Sequence, residues 1–302
     1  MSENRVFGVI VTYYPSWVIL GNLLSALESQ VEAVVVVDNG SPTELQVWAS
    51  GHDNGNTHWV FLKQNYGIAA AQNKGIGWAI DNGASHVLLL DQDSLPAPDM
   101  VLRLLDAMNR MVGCGKKVAA VGPRFVDERR QNPPPFTLVR GIRFVRQTCD
   151  DATAVVPVDY LIASGCLIPV PVFDVVGLMQ ENLFIDYVDI EWGLRARQRG
   201  FESFGACGAH MVHDLGDQPI RVAGRAFPAR SPLRHYYLFR NATWLYSHAS
   251  FPLNWKLVDG WRLFLKYIFY SLFAHPQLTH LRMMTKGIWH GLNSRLGPLE
   301  AN

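Results

Sequence analysis

Short uninterrupted apolar runs alternate with stretches in which apolar residues recur every three or four positions, and this alternation dominates the first 120 or so residues. Residues 6–11 form one such run and read as a strand. Ser16 then stands ahead of Leu20, Leu23, Leu24 and Leu27, whose spacing lines one face of a helix that Ser16 can cap. Residues 33–37 are a valine-rich run of the kind expected in a strand buried on both faces, and Asn39-Gly40-Ser41-Pro42 breaks it. Residues 59–62 predict a third strand, followed by a loop at Asn65-Tyr66-Gly67 and a helix over 68–80. Residues 87–90 predict a fourth strand closed by Asp91-Gln92-Asp93, then come a helix over 100–111 and a fifth strand over 118–121. Strands alternating with helices predict an α/β fold, a mostly parallel sheet with helices on both faces.

Beyond residue 123 the pattern changes. Pro133-Pro134-Pro135 marks an irregular stretch, residues 144–158 have room for one or two short antiparallel strands, and residues 160–169 are strand-like. Residues 190–199 predict a helix and 201–212 another strand. From Leu233 onward the chain is helical, with many aromatics and dispersed Arg, Lys and His. There is no internal repeat or low-complexity tract. The expected organisation is one catalytic domain over residues 1–230 with a helical C-terminal region over 231–302.

Composition narrows this picture. A chain of 302 residues, 49% hydrophobic, can bury a sizeable core, and a formal charge of +1 gives no global basic field, so no nucleic-acid partner is expected. Cys114, Cys149, Cys166 and Cys207 form no C-x-x-C pair and read as buried reduced thiols, which fits a cytoplasmic setting. The run at 6–11 is too short for a signal sequence. Residues 261–274 are interrupted by Arg262 and Lys266 and fall short of the ~20 apolar residues of a membrane span.

Ligands of an open parallel sheet bind at the carboxyl ends of its strands. Thr12-Tyr13-Tyr14-Pro15, Asp38-Asn39-Gly40-Ser41 and Asp91-Gln92-Asp93-Ser94 all fall at such ends. Two acidic strand ends beside a glycine-containing loop suggest a nucleotide site with a hard cation. Asp91 and Asp93 can clamp Mg2+ or Mn2+ against a diphosphate; the alternative is that they cap the next helix with Ser94 and Asp99. Gly75-Ile76-Gly77 begins a G-x-G-x-x-G pattern, but Ile80 takes its last position inside a predicted helix. That excludes a nicotinamide site and leaves close helix packing as the use of the glycines. A second carboxylate cluster holds Asp186, Asp189 and Glu191, the last two opening a helix with Trp192, Leu194, Arg195 and Arg197. Acids in a first helical turn are also ordinary dipole partners. His213, beside Asp214, is either a third metal ligand or a packed histidine.

Taken in order, Val11-Thr12-Tyr13-Tyr14-Pro15, Val37-Asp38-Asn39-Gly40-Ser41, Asn65-Tyr66-Gly67-Ile68-Ala69 with Asn73-Lys74-Gly75, and Leu90-Asp91-Gln92-Asp93 resemble the family 2 GT-A glycosyltransferases. Ser164-Gly165-Cys166, Phe184-Ile185-Asp186 and Asp189-Ile190-Glu191-Trp192-Gly193-Leu194-Arg195 extend the likeness to about residues 5–215. The Asp-Gln-Asp-Ser and Asp-x-Glu-Trp forms are most similar to the rhamnosyltransferases of bacterial polysaccharide and glycolipid (lipopolysaccharide) assembly. The resemblance implies a GT-A fold. It also implies a nucleotide-sugar donor, dTDP-L-rhamnose, and inverting transfer to a saccharide or lipid-linked acceptor. Asp38 would bind the base or ribose with Thr12 nearby, Asn65 and Gly67 would line the donor site, and Asp91 and Asp93 would hold diphosphate and metal, with His213 approaching them. Asp189 would be the catalytic base and Arg195 a scaffold or diphosphate neighbour. Asp186 and Glu191 are the rivals for the base by position, and Asp186, Glu191 and Trp192 are expected on the acceptor side. The rival readings are another donor on the same fold, a sugar-1-phosphate nucleotidyltransferase, and a non-catalytic nucleotide-sugar-binding protein. The nucleotidyltransferase would carry a Gly- and Arg/Lys-rich loop where this chain has Thr12-Tyr13-Tyr14-Pro15.

Two C-terminal features stay open in the sequence. Arg221, Arg225, Arg230 and Arg234 form either a solvated loop or a lid over diphosphate or phosphorylated acceptor. Trp255, Trp261, Phe264, Leu265, Ile268, Phe269 and Leu272 either pack within the protein or make peripheral membrane contact, with Lys256, Arg262 and Lys266 toward headgroups. The sequon Asn241-Ala242-Thr243 is expected to be incidental.

Overall fold

The computed structural model describes residues 4–51, 55–126, 136–149, 151–213, 220–222 and 225–299. Its first half is β1 (Val6–Thr12), α1 (Trp17–Leu27), β2 (Ala33–Asp38), α2 (Glu44–Ser50), β3 (Thr57–Phe61), α3 (Ile68–Asp81), β4 (His86–Asp91), β5 (Ser94–Pro96), α4 (Met100–Gly113) and β6 (Val118–Val126). Then follow β7 (Phe136–Arg140), β8 (Arg143–Gln147), β9 (Val155–Val158), β10 (Cys166–Pro169), α5 (Val170–Val176), α6 (Val188–Gln198), β11 (Glu202–His213), β12 (Ile220–Val222) and β13 (Arg225–Phe227). The chain ends in α7 (Pro232–His248), α8 (Leu253–Phe273) and α9 (Gln277–Leu292).

The central sheet runs β3-β2-β1-β4-β10-β6-β11-β5, with β9 also on β11. The four predicted N-terminal strands pair in parallel, β6 is parallel to β11, and β10, β5 and β9 enter antiparallel. The period of two in the strands explains the layering. Val9, Val11, Val35 and Val37 face α3, α5 and α6, whereas Ile10, Val34 and Val36 face α1 and α4. Gly75 permits the close approach of α3 to the sheet, since a Cβ there would lie 2.4 Å from Val9. Gly77 has no such neighbour, so the packing reading holds for one glycine of the pair. A third cluster joins α7, α8 and α9 to Tyr187 and Leu194 around α6.

The structure departs from the sequence reading in identifiable places. The strand-like stretch at 160–169 contributes only Cys166–Pro169, and α5 follows it at once. Cys149 and Cys207 form a disulfide between residues 58 apart in sequence, and Cys114 is exposed, so only Cys166 is a buried free thiol. Their Cα atoms lie 5.4 Å apart, within disulfide reach, a proximity that spacing along the chain does not reveal. The triple-proline stretch lies outside the described residues. Among the described residues no helix is long and apolar enough to cross a membrane.

Candidate active site

Parallel pairing brings the acidic strand ends to one edge. Thr12 stands opposite Asp38, and Val11 opposite Asp91. The buried Asp38 carboxylate takes the Thr12 hydroxyl at 2.9 Å, the Ser41 hydroxyl at 2.5 Å, and the Gly40 and Ser41 amides at 3.2 and 2.8 Å. Four donors fill the acceptor capacity of a carboxylate, so Asp38 shapes the loop after β2. Asn39 continues the frame: its amide donates to Asn65 Oδ1 at 3.0 Å and its Oδ1 accepts the Tyr66 amide. Asn65 Oδ1 also accepts from Gly67 N. Gly67 has φ +89°, and a Cβ on it would sit 2.6 Å from Phe184, so glycine is required at this contact.

The β4 end is tied to the same edge. Gln92 exchanges hydrogen bonds with the backbone of Tyr13, and Asp91 N donates to Ser164 Oγ. Ser94 Oγ lies 2.5 Å from Ser164 Oγ, and Asp99 occupies the N-cap of α4 without a side-chain hydrogen bond there. The helix-capping alternative for Ser94 is therefore not what the structure builds. Between Tyr14, Trp17, Ser41 and Pro42 opens a cleft of about 330 Å³.

Asp189 stands in the first turn of α6, half-buried beside a cavity of about 10 Å³ walled by Leu89, Cys166, Met179 and Trp192. Burial pushes its carboxyl up to about 6, and the negative charges of Asp186 and Asp91 add to the rise. Asp186 is the opposite case. Burial pushes it upward, but Arg230 and Arg234 hold it below the usual carboxylate range through contacts of 2.6–3.0 Å. Two carboxylates three residues apart are thus driven in opposite directions, the separation expected where one stays ionised and the other exchanges a proton.

The segment before α6 is held under strain: Phe184, Asp186 and Tyr187 have φ of 66°, 61° and 66°. Residues of α7 hold it there. The buried Asn241 amide donates to the carbonyls of Leu183, Ile185 and Asp186 at 2.8–2.9 Å. Arg240, also buried, donates to Leu183 O at 2.8 Å, and Tyr237 stacks on Phe184. No sequence signal picked out Asn241 except its sequon, and its full burial agrees with the sequon being incidental.

Three expected site residues make internal contacts. Glu191 receives two 2.8 Å hydrogen bonds from Arg195, whose guanidinium also reaches the carbonyls of Val176 and Leu178. Trp192 donates to Gly177 O and packs on Phe173. These side chains brace α6 against the end of α5. In the structure Glu191, Trp192 and Arg195 are thus all engaged by internal partners, and for Arg195 these are the contacts of a scaffold. Of the four-arginine stretch, Arg230 and Arg234 clamp Asp186; the side chains of Arg221 and Arg225 lie outside the described residues. The backbone of His213 pairs with Ser94, next to Asp93, while its side chain lies outside the described residues. Among the described residues no three His, Cys, Asp or Glu side chains gather at one point.

The family model described as Glycosyl transferase family 2 matches residues 8–161, which hold the whole β1–β4 edge. The chain belongs to glycosyl transferase family 2. A family relative from Shigella flexneri, "dTDP-rhamnosyl transferase RfbF", is 33% identical over 83% of this chain and 83% of its own. "Low-salt glycan biosynthesis hexosyltransferase Agl10" of Haloferax volcanii is 26% identical over 97% of this chain and 92% of its own. Solved structures share the GT-A fold. Residues 1–349 of S. aureus TarS superpose with TM-score 0.58 at 14% identity, covering 96% of this chain and 82% of that one. GalNAc-T7 with UDP, GalNAc and Mn2+ gives TM-score 0.60 at 15% identity over 91% of this chain and 58% of that one. This family 2 protein is a glycosyltransferase with a mostly parallel GT-A sheet, helices on both faces and C-terminal helices.

Proposed function

We propose that the protein transfers L-rhamnose from dTDP-L-rhamnose to a saccharide or lipid-linked acceptor, with inversion, in the assembly of a bacterial surface polysaccharide. The observation that carries the reading is Asp189, half-buried at the head of α6 and within electrostatic reach of Asp91 at the end of β4. The donor sugar follows the relative named a dTDP-rhamnosyl transferase, which aligns over most of both chains.

The thymidine moiety is assigned to the cleft between Tyr14, Trp17, Ser41 and Pro42, where two exposed aromatic rings offer stacking surfaces. Asp38 and Asn65 act on it through the loops they shape. The hard oxygen donors Asp91 and Asp93 fit Mg2+ or Mn2+, because such ions share their coordination between one or two carboxylates and substrate phosphates. His213 completes the proposed ligand set. When bound, the ion neutralises charge on the departing diphosphate. Asp189 accepts the acceptor hydroxyl proton while that oxygen bonds to the anomeric carbon and the bond to the diphosphate breaks on the opposite side. A β-linked donor then gives an α-L-rhamnoside. Asp186, clamped by its two arginines, sets the chain path into α6 and borders the acceptor side.

Calorimetric titration of dTDP-rhamnose, UDP-glucose, UDP-galactose and GDP-mannose, with and without Mg2+ or Mn2+, tests the assignment. Metal-dependent preference for dTDP-rhamnose supports it. Preference for another donor discards the sugar and keeps the mechanism, and no binding to any removes the donor reading.

A further inference from the structure

The helix α8 is apolar on its outer face as well as its inner one. Trp255, Asp259, Leu263 and Tyr270 face inward. Leu253, Leu257, Trp261, Phe264, Leu265, Ile268 and Leu272 face outward, each 42–70% exposed. These positions repeat at helical spacing and fill an arc of roughly 120° along a helix about 30 Å long. The two polar residues within that arc, Asn254 near one end and Ser271 near the other, donate to the backbone at Gly141 and Tyr267. An exposed apolar stripe of this extent marks a contact surface.

Its flank is basic. The β7–β8 hairpin lies against α8 through Asn254 Nδ2, which donates to Gly141 O at 3.0 Å, and through the Arg262 guanidinium, 4.2 Å from the Phe144 ring centre. The hairpin exposes Arg140, Arg143 and Arg146, and at its tip Ile142 is 75% exposed. Residues 136–149 contain no acid. Asp259 is the sole acid of residues 253–299, and it is buried under two tyrosine hydroxyls. Of the lysines that the sequence points toward headgroups, Lys256 turns elsewhere, its Nζ donating to the carbonyls of Tyr246 and Ala249, and Lys266 is only partly exposed. The cationic rim therefore comes from the hairpin and Arg262.

We infer that the outer face of α8, with the β7–β8 hairpin beside it, docks on an anionic lipid bilayer. The apolar stripe sinks into the headgroup boundary, lying in the plane of the surface, and the arginines meet lipid phosphates. A second copy of the chain is a poorer occupant, because the same surface on it carries no exposed acid among residues 136–149 and 253–299 to meet the arginine flank. This inference does not depend on the donor sugar. It does place the helix that fastens Tyr187 at the bilayer, where a lipid-linked acceptor is presented.

The test is co-sedimentation of the full chain with phosphatidylcholine vesicles with and without about 30% phosphatidylglycerol, the anionic component that recruits basic residues. The wild type is expected to bind the anionic vesicles, weakly so in high salt, and to bind neutral vesicles far less. The double variant W261E/L265E is expected to lose binding, and R140E/R143E/R146E to lose about fivefold or more per residue. L102E, at an exposed leucine of α4, serves as the control and is expected to bind like wild type. Nucleotide-sugar affinity measured on the same variants reports that they are folded. Wild type left in the supernatant, or undiminished binding by W261E/L265E, overturns the inference. So does a concentration-dependent dimer, seen by sedimentation velocity, that W261E/L265E breaks while vesicles bind nothing; that result assigns the face to a second copy.

Discussion

Tyr187 Oη donates to Asp259 Oδ2 at 2.7 Å, and the same oxygen takes a 2.6 Å hydrogen bond from Tyr246. Tyr187 is the left-handed residue that caps α6, two positions before Asp189, while Asp259 lies in α8. The C-terminal helices thus reach into the turn that aims the proposed base. Burial and the neighbouring Asp259 charge keep the Tyr187 phenol protonated far into alkaline pH, so the contact persists across the working range.

Replacing Asp259 by alanine strands two buried hydroxyls, each worth about 1–3 kcal/mol when left without a partner. D259A is expected to lose about 2–4 kcal/mol in urea unfolding. Y187F, which removes one of the two donors, should lose about 1–2 kcal/mol. If the turn matters for aim, Y187F should also lower kcat while leaving the donor KM in place. A kcat equal to wild type with the stability loss present would reduce the contact to a structural tie.

Asn241 tests the same turn from α7. Its single amide serves three carbonyls of a strained segment. N241L is close in size but leaves those carbonyls unpartnered, and is expected to cost about 2–3 kcal/mol and to lower kcat at least tenfold. N241D keeps the shape and turns a carboxylate oxygen toward carbonyl oxygens, so it should be worse than N241L. The ranking is read from unfolding midpoints and turnover on the same samples, and the opposite order would count against the carbonyl clamp.

The β1–β4 edge was legible in the sequence because parallel strands buried on both faces are continuous apolar runs, and their polar ends mark the ligand side. Asp38, Asn65, Gly67 and Asp91 all fall there, on the loops and strand ends predicted for them. What the sequence could not yield are contacts between distant elements. Glu191 and Trp192 look available on a helix drawn alone, and only the packing of α5 beside it shows them occupied. Asn241, Asp259 and the Cys149–Cys207 bridge act across 55 or more residues, and no local pattern carries that information. The outward stripe of α8 has ordinary helical spacing, so its direction is fixed by which face the rest of the protein covers.

Gly67 is the point where the loop after β3 meets the segment that leads into α6. Its φ of +89° and the 2.6 Å approach to Phe184 leave no room for a Cβ. G67A is expected to lose about 2 kcal/mol or more from conformation and crowding together. It should weaken nucleotide-sugar binding and turnover at once, because the loop packs directly on Phe184, and Ile68 N donates to its carbonyl. Calorimetry and turnover on the purified variant check this; a change in only one of the two would separate the elements.

Asp189 carries the last expectation, in which stability and activity move in opposite directions. Its folded carboxyl is raised from an ordinary 3.8 to about 6. Below the unfolded value both states are protonated and nothing is lost. Between about 3.8 and about 6 only the folded state holds the proton, so stability falls across that window by up to about 3 kcal/mol and stays down above it, where the folded protein carries a poorly solvated charge. D189N removes that charge with little change in shape. It is expected to raise the unfolding midpoint at pH 7.5 by the equivalent of about 1–3 kcal/mol and to show no such gain near pH 4. Transfer should fall by about 10²–10⁴ with donor binding kept. In the wild type, kcat/KM should decline tenfold per pH unit below about 6 as the base is protonated. A variant with normal transfer would remove Asp189 from the mechanism. One that loses transfer without gaining stability would keep the base and show that its charge is better solvated than its surroundings indicate.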